Sequence, residues 1–159
     1  MPVSPVVIKY AVDGISTSPI LFSSLLGSFS ADDPVWDRRP EPDRFTLREM
    51  VAHLADWDPI FVGRVERTRD EDNPFLASVD EGQLCAERDY AQQSPVENLD
   101  RLARSRPKLA ELFRSLSESD WDRTAHREFV GDVTMFELAA LVLGHDAYHL
   151  RQAADYRIR

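Results

Sequence analysis

The chain has a single cysteine, Cys85, among 159 residues, so it can form no internal disulfide and offers no paired-cysteine metal or redox motif. A reducing compartment suits it. A reactive thiol is disfavoured too, because Cys85 stands in "DEGQLCAERD", where acidic neighbours raise a thiol pKa. Long apolar runs are missing: nowhere do about 18 apolar residues follow one another, and "MPVSPVVIKY" lacks the basic and apolar regions of a secretory signal. A cytoplasmic protein with no membrane partner is expected. Basic residues are short as well. With 19 Lys and Arg against 28 Asp and Glu, the formal charge of −9 repels a phosphate backbone, so no nucleic-acid partner is expected. Sustained period-two alternation, internal repeats and low-complexity tracts are also lacking, which turns the reading away from β-rich folds, solenoids and disorder.

What is present is an ordinary globular composition, 43% hydrophobic and 30% charged, at a length that fits one domain over residues 1–159. Helix starts are legible. "TLRE" at 46 to 49 is a capping box, in which Thr46 accepts from the N3 amide and Glu49 reaches back. Leu47, Met50, Leu54, Trp57, Phe61 and Val65 follow at intervals of three and four, predicting a helix from about 46 to about 69. "SPVE" at 94 to 97 starts another, with Pro95 at its first position, and Pro107 is expected to kink or break it. "TMFE" at 134 to 137 launches the last helix. An earlier helix is expected from Ser18 as cap and Pro19 as first residue, or from near Asp13 with a bend at Pro19. The stretch between the second and third helices is too long for a bare turn and is expected to pack over the bundle, with room for a short helix. The pattern predicts an all-α, up-and-down four-helix bundle with that long connection.

The last helix carries the chemistry. In "LGHDAYHLRQ", His145 and His149 stand at i and i+4 on a face that begins with Leu138 and Leu141 or Val142 and ends at Gln152. This is the spacing at which one helix offers two imidazoles to a transition metal. His53, flanked by Met50, Trp57 and Ile60, also points inward from the second helix and is a candidate third ligand. Core histidines held by hydrogen bonds are the alternative reading. Two other metal schemes fit poorly: no Glu stands three residues before any of the three histidines, as a di-iron bundle needs, and "HDAYH" has Asp146 where a zincin motif has Glu. His126, in the loop "TAHREFVGD", has no partner at useful spacing and reads as structural or rim.

The run "FTLREMVAHLADWDPIFVGRVER", then "DEDNPFLASVDEG" and "ERDY", then "DWDRTAHREFVGDVTMFELAALVLGHDAYHLRQ" resembles the DinB-like (YfiT-like) superfamily of metal-binding four-helix bundles. The likeness extends from about Trp36 to Gln152. It implies that the family's three-histidine site falls on His53, His145 and His149, the set that spacing had already selected. The ion it implies is a divalent transition metal, zinc or nickel first and iron as a further candidate. It also implies a choice of activities: transfer to a low-molecular-weight thiol of the bacillithiol or mycothiol type, or metal-dependent hydrolysis.

On the S-transferase reading, expected first, an external thiol loses its proton at the ion and attacks an electrophilic small molecule. Trp57 and Met50 would supply an apolar wall, and Arg64 or Arg151 would meet the thiol cofactor's carboxylate. On the hydrolase reading a base is needed, and Glu49, Asp56 and Asp146 are the candidates, each with a reading as cap, surface charge or partner of a histidine. Asp146 sits about 100° around the helix from His145, which argues against direct ligation. A third reading is a non-enzymatic stress-response bundle with a structural metal. A homodimer is expected, paired through a patch of Phe22, Leu26 and Phe136.

Overall fold

The computed structural model describes residues 3–158. Four long helices, α1 (Pro5–Leu26), α2 (Leu47–Asp70), α4 (Pro95–Arg114) and α5 (Met135–Tyr156), make most of it, and a short α3 (Glu81–Glu87) lies in the long connection. Thr46 and Thr134 close full capping boxes with Glu49 and Glu137, and Ser94 accepts from the Glu97 amide, so the three sequence-derived starts hold.

Helix α1 corrects the reading of its own start. It begins at Pro5, well before Asp13 or Ser18, and runs through Pro19. Pro19 has no N–H to give the Ile15 carbonyl, and the single hydroxyl proton of Ser18 is shared between that oxygen, at 3.0 Å, and Asp146 Oδ2. Ser18 is therefore an interior residue and not a cap. Pro107 likewise fails to break α4, because it lies on the exposed side, where water can reach a carbonyl left without its helical donor.

The bundle is also not purely helical. Three short strands, β1 (Phe75–Leu76), β2 (Thr124–Arg127) and β3 (Gly131–Thr134), form a sheet in which β1 pairs parallel and β3 antiparallel with β2. Four-residue strands in which only Ala125 and Val133 turn to the core are too short to show period two, which is why the sequence hid them. Helix order departs from expectation as well. Helix α1 packs on α4 and α5, and α2 packs on the same two, so α1 and α2, consecutive among the long helices, face each other across a diagonal. A simple up-and-down bundle would set them side by side.

The core has two apolar clusters with a polar layer between them. Ile15, Phe61, Leu109 and Val142 belong to one cluster, and Phe22, Leu54, Leu102 and Ala153 to the other. Between these positions each long helix contributes one polar residue: Ser18, Asp58, Arg106 and Asp146, all at most 2% exposed. Arg106 Nε donates to Asp58 Oδ1 at 2.6 Å and its Nη1 to Asp146 Oδ2, while Ser105 donates to Asp58 and Ser18 reaches Asp146. The guanidinium is thus enclosed by two carboxylates.

The same packing takes Phe22 and Leu26 out of the expected dimer patch and leaves only the half-buried Phe136 of it. Phe22 and Leu26 are fully buried within the single chain and have no surface to offer a second copy. Leu141, placed on the inner face by the sequence, is 40% exposed, and Val142 takes the buried position.

Candidate metal centre

His53 enters from α2 and His145 and His149 from α5, and one ring nitrogen from each lies within 4.8 Å of the others. His53 Nε2 and His145 Nε2 are 2.9 Å apart. No other group of three or more metal-ligating side chains gathers in this way among the described residues. Packing holds the rings in place: His53 lies between Phe45 and Trp57, and Trp57 is stacked near-parallel on His145, 10° between planes.

Burial keeps two of the imidazoles, those of His53 and His149, neutral. Burial, then the neighbouring histidines and Arg106, push the His53 pKa down to about 2. Burial and His145 lower that of His149 to about 4, against the Gln152 hydrogen bond. His149 Nδ1 faces Gln152 Oε1 at 3.1 Å, and Gln152 Nε2 donates to the Phe45 carbonyl at 2.7 Å. This fixes the amide's orientation, makes His149 Nδ1 the donor and leaves the Nε2 lone pair free.

Residues of this kind fit a divalent transition metal. A tetrahedral ion with nitrogens at about 2.0–2.1 Å places them roughly 3.4 Å apart, close to the spacing of His53 and His145. Without an ion, three lone pairs would meet in a buried place where two facing Nε2 atoms can share only one proton. His53 Nδ1 and His145 Nδ1 are, in addition, buried without a partner.

The centre opens on a cleft of about 440 Å³, walled by Arg44, Phe45, Glu81, Tyr148, His145 and His149, with Asp43 and Gln152 at its edges. Arg44 lies over the Tyr148 ring at 4.7 Å. Sequence reasoning missed Asp43, Arg44, Glu81 and Tyr148 as site residues. The first three come from the connections, which carry no periodicity to read, and Tyr148 lies on the flank of its helix.

None of the three candidate bases lines this cleft. Glu49 accepts the Thr46 amide and is bound by Arg39 through both oxygens, so it is a cap. Asp56 is buried and paired with Arg101 at 2.6 Å, in a separate depression with Arg88. Asp146 belongs to the polar layer. Its Oδ1 is 3.6 Å from His145 Nδ1, just beyond hydrogen-bonding distance. Burial raises its pKa, but His145, Arg106 and Ser18 outweigh that and leave it below the usual carboxylate range.

The thiol-binding arginines are displaced too. Arg64 donates to the Ala77 carbonyl beside Phe61 and Leu138, and Arg151 stands 85% exposed near Asp155. Neither lines the cleft. Trp57 does contact the centre, whereas Met50 packs in the cluster with Trp36. His126 sits on the sheet surface with its Nδ1 2.7 Å from Asp132 Oδ1, as a rim residue. Burial and Glu49 raise the Cys85 pKa, in keeping with an unreactive thiol.

A helical bundle that gathers three histidines from two helices beside an open cleft has the arrangement of a metal-binding class. The sequence agrees. Residues 19–153 match the model of the DinB superfamily, and the chain belongs to that family. No curated protein matches the sequence. Among solved structures, YfiT from Bacillus subtilis, described as "a probable metal-dependent hydrolase with an unusual four-helix bundle topology", superposes with a TM-score of 0.88. The two are 18% identical over 97% of this chain and 87% of that one, a likeness of fold. Among the described residues, no helix is long and apolar enough to cross a membrane.

Proposed function

We propose that the chain is a divalent-metal-dependent hydrolase acting on a small molecule in the cleft beside His145 and His149. The observation that carries this is the convergence of three imidazoles, two of which, His145 and His149, line an open cleft that also holds two exposed carboxylates, Asp43 and Glu81. When bound, a divalent ion supplies Lewis acidity, able to polarise a carbonyl and bring the pKa of water toward neutrality.

This chain's residues do the rest. His53, His145 and His149 would hold the ion, with Gln152 orienting His149. Trp57 and Phe45 exclude water from the buried side of the rings. Asp43 and Glu81 replace Glu49, Asp56 and Asp146 as candidates to accept a proton from the attacking water. The S-transferase reading loses the support of Arg64 and Arg151, which stand away from the cleft.

The test is elemental analysis of protein purified without chelator, followed by a panel of esters and amides assayed with and without chelator. About one transition-metal atom per chain and turnover that chelator abolishes would support the proposal. Metal that raises the melting temperature with no turnover of any substrate would favour the structural-metal reading instead.

A further inference from the structure

His145 lines two cavities. One is the polar cleft, and the other is a groove of about 570 Å³ formed with Val130, Val133, Glu137, Ala140, Leu141 and Gly144. The groove is walled mostly by carbon, its one carboxylate, Glu137, being taken up by the Thr134 amide and hydroxyl, and it is of a size that holds a small organic ligand. Two of its walls are conspicuously uncovered, Val130 at 57% and Leu141 at 40% exposure. The β2–β3 turn beside it holds Phe129 at φ 64°, an uncommon conformation for an aromatic residue, and almost fully exposed.

Gly144 forms part of the floor. It stands inside α5, where glycine is less favourable than alanine by roughly 0.5–1 kcal/mol, and a Cβ built there meets no atom within 4 Å. Packing therefore does not require glycine, although a side chain there would enter the groove. Gly63 on α2 is equally free of close neighbours, so the weight rests on where Gly144 lies.

We infer that this groove is the subsite for an apolar arm of the substrate, an alkyl, acyl or aryl group attached next to the bond broken at the metal centre. The inference rests on the proposed hydrolase reading and narrows its substrate to molecules with a polar, metal-binding part and an apolar extension. Continuity decides the occupant. Because His145 is a wall of both spaces, a molecule held at the imidazoles by its polar end has the groove as an adjoining apolar space for the rest.

The probes are straight-chain alkyl hydroxamates, whose head binds divalent metals and whose tail length can be varied, titrated into zinc-loaded protein by calorimetry. Affinity should rise by about three- to fourfold per added methylene until the groove is full. In Leu141→Glu, and in Gly144→Leu, which fills the groove without losing a helix contact, the ratio of hexanohydroxamate to acetohydroxamate affinity should fall toward one. A ratio near one in the wild type, or one unaltered in both variants, overturns the inference while leaving the metal centre standing. If acetohydroxamate itself does not bind zinc-loaded protein, the hydrolase reading fails and the subsite with it. Sedimentation covers the remaining occupant: a wild-type dimer that Leu141→Glu dissociates, with affinity indifferent to tail length, makes the groove an interface between copies and overturns the inference.

Discussion

Gln152 Oε1 stands 3.1 Å from His149 Nδ1, and the same amide donates through Nε2 to the Phe45 carbonyl at 2.7 Å. One side chain thus selects the tautomer of a candidate ligand and anchors it to the loop before α2. Partners of this kind raise ligand basicity and fix ring direction. Gln152→Leu should keep the fold and one ion per chain but weaken metal affinity by about 10- to 100-fold. Competition against a chromophoric chelator measures this. An affinity within twofold of wild type would mean that the amide does not orient the ring.

Removing a ligand should act more severely than removing its partner. His149→Ala should lose most metal affinity, and wild-type protein treated with chelator should melt at a lower temperature, because an ion that binds only the folded chain stabilises it by RT ln(1 + [L]/Kd). The chelator should leave the melting temperature of His149→Ala nearly unmoved. Elemental analysis and melts with and without chelator make the check; wild-type stoichiometry in the variant would sink the three-histidine assignment.

Acid should destabilise the metal-free protein. In the unfolded chain a histidine gains its proton near pH 6.5, whereas in the fold His149 holds out to about 4 and His53 to about 2. Between those values the unfolded state binds more protons, so stability is full above about pH 6.5 and falls as pH drops, by up to about 1.4 kcal/mol per pH unit for each histidine. Asp58 works the other way, since burial raises its pKa and the fold takes up its proton earlier. Urea unfolding with chelator at about pH 7.5 and about pH 5 measures the balance. His149→Leu should show a shallower loss than wild type. A wild-type stability that does not fall on acidification would contradict the buried, neutral state of these rings.

Leu141 and Leu138 make a paired test of where α5 is buried. Leu138 is 5% exposed, so Leu138→Ala should cost about 2–5 kcal/mol, whereas Leu141→Ala should cost less than about 1 kcal/mol. Denaturant melts of the two variants decide it, and equal losses would put Leu141 back in the core.

The two leucines also show how far the sequence could be read. The starts of α2, α4 and α5 were located to within a residue or two, because Thr46, Ser94 and Thr134 mark them chemically and local capping depends on few neighbours. The pairing of His145 and His149 was legible for the same reason, since i, i+4 spacing on one face is a local property, whereas His53 was reached only through the inward face of a second helix. Periodicity could not choose between Leu141 and Val142, neighbours that differ by one step of 100° around the helix. Nor did it carry α1 back beyond Asp13 to Pro5, because Pro19 reads as a start or a bend and the helix runs through it. The cleft lies beyond this kind of reading: Asp43, Arg44 and Glu81 come from connections, and only tertiary packing brings them to the histidines.

The polar layer offers the most demanding prediction, because its members come from all four long helices and no pair of them is close in sequence. Arg106→Met keeps much of the volume but leaves Asp58 and Asp146 facing each other in a buried space without their shared cation. Breaking a buried ion pair from one side costs about 3–5 kcal/mol, since the desolvated charge that remains has no partner. Neutralising the carboxylates as well should recover much of that loss, so Arg106→Met/Asp58→Asn/Asp146→Asn should be clearly more stable than Arg106→Met alone. The comparison is read from denaturant midpoints at neutral pH with chelator present, so that metal binding does not enter. If the triple variant were no more stable than the single one, the loss would come from packing of the long side chain against Phe61, and the charges of the layer would not be what holds the helices in register.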